Sequence, residues 1–251
     1  MLQRAVIKIS GEALSGNGEA FDDRVIDDIA RQLKVLSGIE FSLIVGGGNF
    51  WRGRDSKPYL DRARSDQIGM LGTIMNGLYL SERFKLSGVK SIVMTPFQVG
   101  AITNVYSRET ALHAMRHGKV VIHSGGTGHP FFSTDTIAAL RAAELEADCV
   151  FYAKNIDGVY SGDPRKDPEA RKFHRVSYQR VIEGRLSALD TAAISISLEA
   201  GTPSFVFGLN ETDSIIRACE SAAGQTGELL SGTMISVSCE EEYYEQSNKT
   251  I

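Results

Sequence analysis

Residues 41–48 read Phe-Ser-Leu-Ile-Val-Gly-Gly-Gly, and residues 120–128 read Val-Val-Ile-His-Ser-Gly-Gly-Thr-Gly. In both, an apolar run of strand length passes directly into glycine. Strands covered on both faces read as such unbroken apolar runs, and parallel sheets are built from them. Glycines at the carboxyl end of a strand let the backbone approach a ligand closely, and open α/β sheets bind their ligands in the crevice at that end. A lone Gly-Gly-Gly is weak support, since tight turns also use glycine. The second strand-to-glycine transition strengthens it.

Working outward, strand-length runs alternate with helical spacing almost from end to end. Ala5 to Ile9 predicts a first strand. Val25, Ile29, Leu33 and Leu36 predict a helix, with Asp22 or Asp23 as its N-cap and Gly38 as its stop. A long helix is expected to carry Ile68, Leu71, Met75 and Leu78 on one face and to end near Gly88. Further strands are expected at Ser91 to Met94, Val120 to His123, Cys149 to Ala153, Ser204 to Phe207 and Thr233 to Val237. Helices are expected at Ser107 to His117, Asp135 to Ala147, Asp190 to Ala200 and Thr212 to Ala222. Repeated β-α units imply a mostly parallel sheet with helices on both faces. The loop 155–168 breaks the rhythm, and a division into two lobes would fall at 148–168. The acidic, polar tail 238–251 is expected to fray.

The chain has 251 residues and a formal net charge of −4, which argues against a dominant partner among nucleic acids or anionic membranes. An anionic substrate must then be captured by local donors. Three dispersed cysteines, Cys149, Cys219 and Cys239, outside any Cys-x-x-Cys pattern, fit reduced thiols. No signal peptide precedes the first apolar stretch, and no apolar run reaches the roughly 20 residues of a spanning helix. The expectation is a soluble cytoplasmic protein.

Several constellations could carry chemistry. Lys8 lies in an otherwise apolar strand, where its ammonium is costly to bury unless an anion meets it; a lysine snorkelling from a strand edge is the plain alternative. Ser10 and Gly11 follow, and a turn there could expose N–H groups to phosphate. Arg52, after the triple glycine, is a plausible phosphate fork. Gly126 to Asp135 brings glycines, a Phe pair and hydroxyls to the start of a helix, whose N–H groups favour an anion; capping alone would explain Thr134 or Asp135 singly. Asp157 to Pro164 is turn chemistry, although Tyr160 could face a nucleobase. Asp190 is either an N-cap or a catalytic carboxylate. There is no Gly-x-x-x-x-Gly-Lys-Ser/Thr loop, dinucleotide fingerprint, zincin motif or serine nucleophile elbow. No Cys/His cluster has metal-ligand spacing.

Taken in order, KISGEAL from Lys8, VGGGNFWRG from Val45, DQIGMLGTIMNGLYL from Asp66, GGTGHPFFSTD from Gly125, IDGVYSGDP from Ile156 and LDTAA from Leu189 resemble the motif series of bacterial UMP kinases, in the amino-acid-kinase superfamily. The match runs from about Ala5 to Val237. It implies one amino-acid-kinase domain over 1–251, a three-layer α/β/α sandwich around a mostly parallel sheet. An acceptor lobe would span about 1–150 and an ATP lobe about 151–237. It implies transfer of the γ-phosphoryl group of ATP to UMP, with Mg²⁺ accompanying ATP, in a homohexamer of pyrimidine nucleotide biosynthesis. Lys8, Ile9, Ser10 and Gly11 would grip ATP phosphates, and Gly47 and Gly48 would sit between donor and acceptor. Arg52 would reach both nucleotides, with Asp66 holding UMP. Thr127, Gly128, His129, Pro130, Phe131, Phe132, Ser133 and Thr134 would wrap the UMP base and phosphate. Lys154, Asn155, Tyr160 and Asp163 would line the ATP side. Asp190 would orient Lys8, and Asp135 would act near Mg²⁺ or the transferred group.

His129 stands where the family usually has asparagine, and Ser133 where it has threonine. The segment Gly16 to Phe21 resembles a region linked to GTP activation, with an altered glycine pattern; the resemblance implies activation by GTP and inhibition by UTP. Two other readings stand beside this one. One is a superfamily kinase acting on a carboxylate or carbamate. The other is a non-catalytic nucleotide- or oxyanion-binding relative, which would have no need of Lys8, Arg52, Asp135 and Asp190 together.

Overall fold

Ala5, Val6 and Ile7 have no solvent exposure, as a strand covered on both faces requires. They lie in β1 (Arg4–Ile9), followed by β2 (Glu40–Val45), β3 (Ser91–Thr95), β4 (Asn104–Val105), β5 (Val120–His123), β6 (Cys149–Lys154), β7 (Phe173–Ser177), β8 (Ser204–Gly208), β9 (Gly232–Ser236) and β10 (Glu242–Tyr243). The helices are α1 (Asp23–Val35), α2 (Arg62–Leu86), α3 (Arg108–Arg116), α4 (Thr134–Leu145), α5 (Tyr178–Glu183), α6 (Thr191–Ala200) and α7 (Ser214–Ala222). This is a computed structural model, and it describes residues 2–16, 18–52, 59–186, 189–224 and 232–244.

The strands form one sheet in the order β10-β7-β9-β8-β6-β1-β2-β5-β3-β4. All neighbours are parallel except β8 with β9 and β7 with β10. Side chains alternate across β1, so Ala5, Ile7 and Ile9 enter one core and Val6 enters another. The first core takes Ile26 and Leu33 from α1, Leu80 and Phe84 from α2 and Ile215 from α7. The second takes Ile137 and Ala142 from α4, Val181 from α5 and Ile194 from α6. Two cores on opposite faces of one sheet make the three-layer sandwich.

Capping positions the helices that matter for the site. Ser133 accepts the N–H groups of Asp135 and Thr136 at 3.0 and 3.3 Å, starting α4. Asp190 accepts the Ala193 N–H at 2.8 Å, starting α6.

The structure departs from the sequence expectations in three places. The short elements β4, β7, α5 and β10 carry too little periodicity to be read. Phe173–Ser177 holds His174 and Arg175 inside a strand that pairs in parallel with β9. The tail is ordered as far as Tyr244: Tyr243 stacks on Phe173 at 4.4 Å, and the Tyr244 hydroxyl donates to the Gly232 carbonyl at 2.6 Å. The remainder of the expected frayed tail, 245–251, lies outside the described residues. The third departure is the orientation of α2. Leu71 and Met75, expected on a common packing face, are 55% and 47% exposed. The face turned inward instead carries Met70, Gly72, Thr73, Ile74, Asn76 and Gly77.

Candidate active site

The chain leaves β1 for β2 on one side, and later inserts β6 on the other. This reversal opens a crevice at the carboxyl ends of the strands. Lys8 and Lys154, both close to those ends, point their ammonium groups at one carboxylate. Lys8 Nζ is 3.0 Å from Asp135 Oδ1, and Lys154 Nζ donates to Asp135 Oδ2 at 2.7 Å. Lys8 is only 9% exposed, and Asp135 is the anion that makes this burial affordable. Burial pushes the Asp135 carboxyl up, but the two ammonium groups outweigh it and hold it below its ordinary value. Lys154 is pushed down by burial, against the pull of Asp135. The Lys8 contact at Oδ1 is an ion pair that falls short of good hydrogen-bond alignment.

The glycine loops pack on each other and on α2. A Cβ at Gly11 would meet Gly48 N at 2.6 Å, and one at Gly46 would meet Gly11 N at 2.8 Å. One at Gly47 would meet the Gly69 carbonyl of α2 at 2.7 Å. Close backbone packing therefore accounts for these glycines before any ligand is invoked. Two polar side chains of α2 seat the loops. Asn76 Nδ2 donates to Gly46 O at 2.6 Å and to Asn49 Oδ1 at 2.8 Å. Asn49 returns a bond to Asn76 Oδ1 at 2.9 Å. Thr73 Oγ1 accepts the Gly125 N–H at 2.6 Å.

A cleft of about 870 Å³ lies above this floor, bounded by the glycine loops, α4 and α6. A second, of about 910 Å³, adjoins it along the loop 154–165. On the first cleft's wall, Asp66 accepts from Arg62 Nε at 3.0 Å and from the Phe131 N–H at 2.8 Å. Phe131 has φ of 72°, a left-handed conformation that a bulky residue adopts only when its surroundings impose it. Arg52 pairs with Glu12. Two adjoining clefts, with the Lys154 ammonium lining both and that of Lys8 in the first, suit two anionic ligands and the passage of charge from one to the other.

The sequence profile described as the amino acid kinase family matches residues 3–208. The chain belongs to that family. It is also similar to two crystal structures of UMP kinases. The protein from Ureaplasma parvum is 32% identical with a TM-score of 0.87, over 94% of this chain and 99% of that one. The protein from Bacillus anthracis is 32% identical with a TM-score of 0.88, over 97% and 99%.

In this amino acid kinase, Lys8, Ser10, Gly11, Gly47, Gly48, Arg52, Asp66, Phe131, Phe132, Ser133, Thr134, Asp135 and Asp190 all line the first cleft. Asn155, Tyr160 and Asp163 line the second, and Lys154 lines both. Tyr160 donates to Asp157 at 2.9 Å, and burial followed by that carboxylate pushes its hydroxyl up to about 12. Ile9 is buried in the sheet beneath the site. Thr127, Gly128, His129 and Pro130 do not line the first cleft; Thr127 and His129 close a turn on each other at 3.1 and 3.2 Å.

The expected pairing of Asp190 with Lys8 is replaced. Asp190 instead accepts from Thr136 Oγ1 at 3.0 Å and from Ser133, joining α6 to α4. The carboxylate that meets Lys8 is Asp135. The physical reason is reach: Asp190 is engaged as the cap of α6, whereas Asp135 follows the cap of α4 and faces the strand ends. Sequence reasoning missed Glu12, Arg62, Thr73 and Asn76. A signal for the last two was present, because Gly69, Gly72, Thr73, Asn76 and Gly77 recur at helical spacing as a stripe of small and polar residues.

Proposed function

We propose that this amino acid kinase is a UMP kinase, moving the γ-phosphoryl group of ATP to UMP to give UDP and ADP. The observation that carries the reading is the pair of adjoining clefts, with Lys154 lining both and bound through Asp135 to Lys8 in the first. The full-length likeness to two UMP kinases supports the choice of acceptor. A kinase for a carboxylate or carbamate, or a silent binder, is not favoured by those relatives.

An oxygen of the UMP phosphate attacks the γ-phosphorus. The bond from that phosphorus to the bridging oxygen breaks, and its electron pair stays on ADP. UMP brings a nucleophile that is already anionic, so no strong base is needed, and positioning with charge stabilisation does the catalysis. In this reading the lobe 1–150 holds UMP and the lobe 151–237 holds ATP. Lys8 steadies the charge in transfer, Asp135 holds Lys8 and Lys154 in place, and Asp190 fixes α6 against α4. Ser10, Gly11 and Gly48 face the ATP phosphates. Arg52, Asp66 and the segment from Phe131 to Thr134, which line the first cleft, hold UMP. Asn155, Tyr160 and Asp163 serve ATP.

Among the described residues no cluster of three or more His, Cys, Asp or Glu forms a metal cage. Both Asp135 oxygens already face lysines, a donor set that suits a Mg²⁺ brought in on the ATP phosphates rather than one resident in the protein. Bound there, the ion neutralises phosphate charge.

The finer parts of the reading are a homohexamer, GTP activation, UTP inhibition and a cytoplasmic setting in pyrimidine nucleotide biosynthesis. Leu71 and Met75, exposed on α2, support assembly. Three free cysteines support a reducing compartment. No helix among the described residues is long and apolar enough to cross a membrane.

The test is ADP release from ATP and Mg²⁺ with UMP, CMP, aspartate or acetylglutamate offered separately. ADP formed with UMP alone is expected. ADP with an amino acid and none with UMP would replace the reading by a carboxylate kinase.

A further inference from the structure

The two clefts share three lining residues, Lys154, Arg185 and Leu186. Lys154 is committed to Asp135 and Leu186 is apolar. The other cations on the first cleft have carboxylate partners: Lys8 has Asp135, Arg52 has Glu12 and Arg62 has Asp66. Arg185 is exposed and has no carboxylate partner among the described residues.

Its backbone is unusual as well. The Leu186 N–H bonds to Val181 O at 3.0 Å, and the Arg185 N–H to Ile182 O at 3.1 Å, the paired bonds that close a helix on a left-handed residue. That position usually takes glycine. Here Arg185 occupies it, with φ of 48°, although Gly184 is adjacent. A Cβ at Gly184 would sit tightly against the Arg180 carbonyl, at 3.0 Å. A long cation thus sits in a conformation that works against its own stability, at the divide between two anion-sized clefts. Strain of this kind is retained where surroundings or function demand it.

We propose that Arg185 reaches the phosphoryl group as it passes between the clefts, its planar fork bonding the non-bridging oxygens of the γ-phosphate. The proposal rests on the phosphotransfer reading above. It adds no proton transfer: the bond to the bridging oxygen breaks as before, and the guanidinium meets charge gathering on the transferring group.

Arg185→Gly is the discriminating variant, because it removes the guanidinium while relieving the left-handed backbone. The measurements are kcat and KM for ATP and UMP, ADP affinity by calorimetry, and melting temperature. The expected result is kcat lowered about tenfold or more, with ADP affinity and the KM for UMP within about twofold of the parent. The melting temperature should equal or exceed that of the parent. Added guanidinium ion should restore part of the rate, and Arg185→Lys should fall between the two. A parental kcat in Arg185→Gly, in a parent that phosphorylates UMP, would overturn the proposal and leave the UMP kinase reading standing. A lowered melting temperature with proportional loss of ADP binding would make Arg185 structural, and overturn it too. A parent that phosphorylates none of the acceptors would defeat the underlying reading itself.

Discussion

Asp135 answers two ammonium groups with one carboxylate, which leaves the buried trio with a net positive charge facing the cleft. The balance can be tested by titration. The Asp135 carboxyl sits below its ordinary value in the folded protein. Its contribution to stability is therefore complete above the ordinary carboxylate value and is lost as pH falls through the depressed one. Asp135→Asn should be destabilised at neutral pH by about 3 kcal/mol, since removing one partner of a buried ion pair strands the others. That gap, followed by thermal unfolding, should narrow as pH falls below the ordinary carboxylate value. A gap that stayed constant would mean Asp135 is not the group that titrates. Lys8 should reveal itself in turnover: Lys8→Ala is expected to lower kcat about a hundredfold or more while changing UMP affinity little. Loss of UMP affinity with unchanged saturating turnover would move Lys8 out of the transfer step.

Among the elements, α2 does more for the site than its sequence advertises. Its inner face holds one glycine loop through Asn76 and the other through Thr73. Asn76→Ala would leave the Gly46 carbonyl and the Asn49 side-chain oxygen without those donors in a site where Asn76 itself has no exposure. A cost of about 1–3 kcal/mol is expected, together with a kcat loss larger than the change in melting temperature would explain. Unaltered turnover in the folded variant would mean the loop holds its shape without the clamp. The same helix marks the limit of sequence reading. The paired strand-to-glycine transitions and the central apolar runs were legible, because a strand buried on both faces leaves no choice of residue type. The packing face of α2 was not, because close approach of helix to loop selects Gly, Thr and Asn and releases Leu71 and Met75 to the outside. Asp190 was legible as an N-cap, one of two readings left open, but its bonds to Ser133 and Thr136 were not, since a cap and a catalytic carboxylate look alike in one dimension. The strand β7 was hidden by His174 and Arg175, polar residues accommodated one strand in from the sheet edge.

For the molecule as a whole, one continuous sheet carries both clefts, so the halves of the site are joined by strand pairing between β1 and β6. The exposed pair on α2 gives the assembly reading a direct check. Leu71→Glu with Met75→Glu should reduce the mass measured by light scattering while leaving the isolated chain folded, because both side chains are already exposed. An unchanged mass would place the contacts elsewhere. A helix that binds the glycine loops on one side and offers Leu71 and Met75 on the other also has a thermodynamic corollary. If docking of a second copy on the outer side changes nucleotide affinity by some factor, nucleotide must change the association constant by that same factor. Enzyme concentration would then behave as an effector: dilution alone would shift the apparent affinity for substrate, and saturating substrate would oppose dissociation.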